Sequence, residues 1–208
     1  PNVALNKSLS LIGPNAGISP VTNLGGRVAK AVINGGNVGA FDGSGFGFTL
    51  MTGVTSLTVE GLTFTNFDGN VFASSLVPVT AVNLHQNIFD ENNGGLFYKF
   101  DTSVATDFDV VDNLITDHSM MVSNTALFFL GNVANSQFNA NQATNVASRE
   151  LFNVFHTLTN TTFNNNVLNN TGGLVGLFAN QSGVVVDGNQ ITTTTQFAAI
   201  NVDTFIGQ

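Results

Sequence analysis

Residues Thr162 to Leu174 read TFNNNVLNNTGGL, a run in which apolar residues alternate with so many asparagines that low complexity and fold repeat are both open readings. The surrounding chain decides between them. It is 208 residues long and 43% hydrophobic, with 19 Phe and only 9% charged residues, which is too apolar for a disordered tail. Helix formers are scarce, while Val, Thr, Phe, Asn and Gly dominate, the vocabulary of short strands joined by tight turns.

The neighbourhood of Phe163 recurs along the chain. Phe64, Phe89, Ile115, Phe138, Phe163 and Ile191 follow one another at 25, 26, 23, 25 and 28 residues. A near-constant period of this size is the mark of a solenoid. A second apolar pair follows each anchor, as at Leu96-Phe97, Leu127-Phe128 and Leu151-Phe152, and a third stretch such as DFDVVDN leads into the next anchor. Three strand-like runs per period, separated by Asn, Asp and Gly, predict an all-β right-handed parallel β-helix of about 23–28 residues per coil with three short parallel sheets. Stacking at about 4.8 Å then places the six anchors in one internal column. The rival, a sandwich of antiparallel hairpins, gives turns every 8–12 residues but no 25-residue period in residue identity.

The asparagines fall at the corners of such a coil. Asn87, Asn113 and Asn189 stand two residues before their anchors and Asn135 and Asn160 three before, which reads as one turn ladder. Asn92, His118, Asn141 and Asn166, three residues after the anchors, read as a second turn column. No linker divides the chain, so residues 1–208 form a single β-helix domain. Residues 1–30 are expected as an irregular first coil and 31–208 as regular coils.

FDEN at Phe89 to Asn92, FNAN at Phe138 to Asn141 and FNNN at Phe163 to Asn166, with the GGL segments at Gly94 to Leu96 and Gly172 to Leu174, resemble the FxxN and GG[ALI] repeats of polymorphic outer-membrane proteins and autotransporter-type adhesins. NKSLSLIGPNAGIS and VTSLTVEGLTFTN are similar to the opening coils of pectin-lyase-like right-handed β-helix surface proteins. The resemblance implies an exported, extracellular or cell-surface chain. It also admits lyases, hydrolases and structural passengers on the same fold.

Composition narrows the function. Five Lys+Arg against 13 Asp+Glu give a net charge of −8, which leaves nothing to neutralise phosphates, so nucleic acid is not an expected partner. No apolar run approaches the roughly 18 residues of a membrane-spanning helix, so this segment is not expected to insert. There is no cysteine, hence no disulfide or thiolate site. The three histidines show no metal spacing and read as surface or turn residues. The chain opens directly in strand-like sequence, as a mature, processed or excised segment does.

Glu91 and Asp117, each two residues after an anchor, are the best carboxylate pair, since stacking sets them about 5 Å apart, near the separation in retaining glycosidases. Asp112 joins them as a weak catalytic candidate, and Asp90, Glu91 and Asp117 are weak Ca²⁺ ligands, Ca²⁺ being the single cofactor the acidic edge offers. The commoner alternative is a solvated turn. The run ITTTTQ, Ile191 to Gln196, could present a hydroxyl ladder but is also ordinary strand sequence. The sequence thus favours a non-enzymatic structural or adhesive scaffold, part of a longer chain or a filament-forming subunit that associates end to end or laterally and contacts surface glycans. A polysaccharide lyase or hydrolase, or a carbohydrate-binding module, is the rival.

Overall fold

The computed structural model of the chain describes residues 3–36, 46–74, 78–119, 126–177, 180–193 and 198–202. Strand accounts for 62% and helix for 2%, and all the described strand pairings are parallel, which makes a β-solenoid of about five turns. No helix among the described residues is long and apolar enough to cross a membrane.

Each coil has three sides. The first is laid down by strands such as Asn70–Ser74, Phe97–Thr106 and Phe128–Ala134. The second runs through Ser56–Glu60, Ala81–His85 and Phe108–Val111, and the third through Thr63–Thr65, Ile88–Asp90 and Leu114–His118. Hydrogen bonding groups these sides into two sheets rather than three. The second side is a separate seven-stranded sheet, whereas Gln142–Thr159 and Val167–Leu177 run unbroken around a corner and fuse the first and third sides into one of 14 strands. The opening is also more regular than its Gly and Pro content suggests. Val3–Leu5 and Leu9–Ile12 are already rung strands, and the irregular part is an excursion over residues 13–31 with one 3₁₀ turn, Leu24–Gly26.

Register divides the expected single anchor stack between two sides. Phe64, Phe89 and Ile115 are in register on the third side, and their column continues as Ala143, Leu168 and Ile191. Phe138 and Phe163 belong instead to the second side, in the column of Val59, Leu84, Val110 and Val186. Their rings stack at 5.2 Å, as do those of Phe64 and Phe89.

After the first coil, where the excursion separates Leu11 from Ile33, the two interior columns lie five residues apart, and the cause of the divided stack is volume. Early coils pair a smaller second-side residue with a larger third-side one, as in Val59 with Phe64 and Leu84 with Phe89. Later coils reverse the order, as in Phe138 with Ala143 and Phe163 with Leu168. Close packing of the cross-section constrains the sum within a coil, not the identity within a column. On the first side Phe72, Phe97, Phe128 and Phe152 form a third buried column in the register read from the sequence. Where the first side begins, Gly94 and Gly173 allow coils to touch, since a Cβ at either would overlap the carbonyl oxygen of Gly69 or Ala198.

Phe138→Ala is expected to cost about 3–5 kcal/mol, by a cavity in the shared core. Adding Ala143→Phe should restore a substantial part of that loss, measured by urea unfolding. Additive losses in the double variant would contradict the volume account.

Candidate functional site

Three corners carry nearly all the polar residues of interest, and left-handed backbone recurs at each of them. Gly61, Gln86, Asp112, Ala140, Asn165 and Gly188 have positive φ between the second and third sides. Asn66, Glu91, Asp117, Asn145 and Asn170 do so after the third side, and Asp107, Asn135, Asn160 and Gly183 before the second. Gly, Asn and Asp tolerate this region with the least cost. The φ of Glu91, 52°, is therefore shared by Asn66, Asp117, Asn145 and Asn170 and does not single Glu91 out.

Next to the first of these corners runs a buried amide ladder. Asn87, Asn113, Asn141 and Asn166, which are buried, and Asn189, which is partly buried, stand one above the other, each two residues before a third-side interior position. Each Nδ2 donates to the next Oδ1, at 3.2, 3.0, 3.1 and 2.9 Å. The same Oδ1 atoms accept the backbone N–H of the preceding rung, for example Asn87 to Asn113 at 3.0 Å and Asn113 to Asn141 at 3.1 Å. Each Nδ2 also reaches a carbonyl of the earlier coil, such as Leu84 at 2.7 Å from Asn113. One amide thus satisfies the backbone donors and acceptors that leave the strand ladders at the turn.

The ladder and the predicted columns overlap in part. Asn87, Asn113 and Asn189 belong to it, together with Asn141 and Asn166 from the predicted second column. Asn135 and Asn160 lie instead at an exposed corner one side away, with Asn160 Nδ2 donating to Asn135 Oδ1 at 3.2 Å. Of the predicted second column, Asn92 and His118 do stand together, and Val146 and Thr171 follow them in register. Asn92 caps the earlier coil by accepting from Phe67 N–H at 3.1 Å and donating to the Phe64 carbonyl at 3.1 Å.

His118 is not the surface residue that its acidic neighbourhood suggests. It is buried, with Nε2 3.5 Å from Asn92 Nδ2. Burial lowers its pKa to about 4, against the raising influence of the Phe89 and Gly94 backbone and of Asp90 and Asp117. The imidazole is neutral at physiological pH and fills a column otherwise held by Phe67, Asn92 and Val146. His85 sits on the outer face of the second side with Nε2 2.9 Å from Asp109 Oδ2, and His156 is exposed.

The acidic candidates are dispersed over two corners. Glu91 and Asp117 occupy consecutive rungs of one corner, both exposed, and Asp117 Oδ1 accepts from Asn145 Nδ2 at 2.9 Å. Asn170 Nδ2 continues the chain to Asn145 Oδ1 at 2.8 Å. Asp90 points outward on the third side, its Oδ1 taken by the Thr116 hydroxyl at 2.6 Å. Asp112 lies at the other corner, ahead of the third side, where Ser19 Oγ donates to its Oδ1 at 2.6 Å.

Asp112 has a structural partner there. The 13–31 excursion is strapped along this corner: Gly17 N–H donates to Glu60 and Gln86 side chains at 3.0 and 2.7 Å, and Arg27 Nη1 to the carbonyls of Ile18 and Gln86 at 2.6 and 3.0 Å. Partial burial lowers the Arg27 pKa, with Asp112 opposing. Among the described residues no three of His, Cys, Asp and Glu come together closely enough to hold a metal ion, so Asp90, Glu91 and Asp117 do not converge as a Ca²⁺ cage. Of the Thr run, residues 194–197 lie outside the described residues.

No protein-family model matches the chain, and no curated protein and no solved structure matches it significantly.

Asn113→Ala strands the buried N–H of Asn87 and the carbonyl of Leu84, and is expected to cost about 2–4 kcal/mol. Asn160→Gly, at an exposed corner whose positive φ glycine also tolerates, should cost less than about 1 kcal/mol. Denaturant unfolding of both variants checks the contrast.

The His118 linkage has a definite sign. The native ring stays neutral down to about pH 4, while the unfolded ring takes its proton near 6.5, so the unfolded state binds more protons in between. This contribution is complete above about pH 6.5 and falls away toward pH 4, by up to about 3 kcal/mol. Subtracting the pH profile of His118→Asn from that of the wild type isolates it, and parallel profiles would contradict burial of a neutral ring.

Proposed function

We propose that the chain is a structural or adhesive β-solenoid of the extracellular, cell-surface kind, a stiff rod that makes its contacts through its end rungs and outer faces. One observation carries this reading. Of the exposed large apolar side chains, Val3, Ile12, Leu24, Val28 and Val32 belong to the first rung and its excursion, and Val185, Ile200 and Val202 to the last rungs. Along the flanks only Met51 and Val104 join them among the described residues. Several corner side chains, meanwhile, bond to the adjacent rung, as Asn145 does to Asp117, Asn170 to Asn145 and Asn160 to Asn135. Exposed strand edges with apolar residues are templates for association.

Likeness of the FxxN and GG[ALI] segments to surface β-helices of the pectin-lyase-like and polymorphic outer-membrane type supports the export reading, and the net charge of −8 argues against nucleic acid as partner. Glycans on a neighbouring surface remain natural contacts for the polar second and third sides. The enzyme alternative rests on Glu91 and Asp117, the one carboxylate pair in consecutive rungs. Both are exposed at a corner, where water screens their charges.

Sedimentation across a wide dilution range tests the proposal: average mass should rise with concentration. A constant monomer mass contradicts association through the ends. Turnover of an oligosaccharide, with or without added Ca²⁺, that is lost in Glu91→Gln or Asp117→Asn would replace this reading by the enzyme.

A further inference from the structure

Charge divides the solenoid along its axis. Residues 60–117 carry nine of the 13 carboxylates, whereas residues 118–186 carry Glu150 alone, which is buried, with Arg149 as their one cation. Among the described residues the outer second side of these later coils is accordingly neutral, with Gln137, Asn139, Thr162 and Asn164 in place of the earlier Glu60, His85 and Asp109. Strand surfaces rich in amides and hydroxyls stack readily on their own copies, and proteins ordinarily prevent this with charge. The later coils lack that safeguard.

The acceptor tripeptide for sugar attachment, Asn-x-Ser or Asn-x-Thr, occurs three times in the same region. Asn160-Thr161-Thr162, Asn169-Asn170-Thr171 and Asn180-Gln181-Ser182 all fall within one turn, residues 160–182, and each of the three asparagines is exposed. They are spread around the circumference. Asn160 is at the corner before the second side, Asn169 on the outer third side in register with Thr144 and Thr192, and Asn180 beyond the first side in register with Thr157. No buried asparagine among the described residues begins such a tripeptide. The ladder register is the cause: the residue two after each ladder asparagine is an interior apolar one, from Phe89 to Ile191, which leaves no hydroxyl there. A fourth tripeptide, Asn6-Lys7-Ser8, is exposed too but lies outside the neutral stretch, with a cation in it.

We propose that Asn160, Asn169 and Asn180 are glycosylation sites, and that sugars take the place of charge in solvating the later coils. The inference rests on the extracellular reading above and adds a modification to it. In the transfer, Nδ2 of the asparagine forms a bond to C1 of an activated sugar and gives up one proton. The C1–O bond to the diphosphate carrier breaks, and the diphosphate leaves with the electron pair. Asn160 can carry a sugar without losing its corner bond, because Nδ2 has two hydrogens and donates only one to Asn135 Oδ1. The acceptor hydroxyls differ in access. Ser182 is exposed, whereas the Thr171 hydroxyl is buried and donates to the Gly172 carbonyl at 2.8 Å. Asn169 therefore takes its sugar before its coil closes, while Asn180 accepts one before or after. A bulky hydrated group at each of three places around one turn keeps the flat neutral faces of two copies apart.

Peptide mass mapping of the chain recovered from the surface of the cells that make it is the test. Sugar mass should sit on Asn160, Asn169 and Asn180 and on none of the ladder asparagines. Asn169→Gln/Asn180→Gln should lose it at both positions, keep the wild-type circular dichroism, and be several-fold less soluble than the modified wild type. Wild type made in a host without the transferase should show the same low solubility, and supplies this reading should the double variant misfold. Bare peptides at all three positions in surface-recovered chain overturn the inference and leave the extracellular reading standing. Sugar at the three positions with equal solubility of modified and bare chain overturns the solvating role. A chain found only inside its cells removes the extracellular reading, and the inference falls with it if those peptides are bare.

Discussion

The hydrogen bond from an asparagine amide to the asparagine one coil away is the interaction on which the rest of the structure depends. Where the chain leaves the second side and turns into the third, its backbone groups quit the strand ladders but remain buried. A buried donor or acceptor without a partner costs about 1–3 kcal/mol, and the cost would recur in each coil. Asparagine meets the need with one side chain, because its carbonyl takes the N–H of the rung before it while its NH₂ bridges to the next amide and an earlier carbonyl. Serine offers less reach, and a carboxylate would add a buried charge.

The turn that places the ladder also sets the left-handed corner beside it. The chain reverses direction within a few residues only if one residue adopts positive φ, and that residue recurs at every rung. Acidic residues at such corners are explained by backbone preference in the cases of Asp107, Asp112 and Asp117. Asp112 is then put to further use, anchoring Ser19 and, through it, the excursion of the first coil. The polar character of these corners therefore follows from the backbone conformation that the turns require.

The fold was legible because an interior column tolerates little except large apolar side chains, and Phe64 and Phe89 advertise the 25-residue step directly. The error in the column lay between Ile115 and the next rung. There the bulky residue moves to the second side as Phe138, and the third-side position is taken by Ala143, too small to be noticed as an anchor. The same five-residue slip hid two rungs of the ladder. Asn141 and Asn166 stand two residues before Ala143 and Leu168, as Asn87 stands before Phe89, but counted from Phe138 and Phe163 they fell on the wrong side of the anchor. Burial of His118 had no local signal at all, since HSM following an aspartate reads as surface; only its column, between Asn92 and Val146, reveals it. Pairing preferences set the local elements, but which side a large residue occupies is decided by the filling of a whole coil.

Native-state hydrogen exchange tests this account most directly. The backbone N–H groups of Asn87, Asn113, Asn141 and Asn166 bond to side-chain amides rather than to a strand ladder. If the ladder holds the coils together, these four should exchange as slowly as the strand amides of Val82 and Val110, through global unfolding. Exchange at the rate of the exposed corner amides, with the strands still protected, would show that the coils are held by their apolar core alone and would contradict the account.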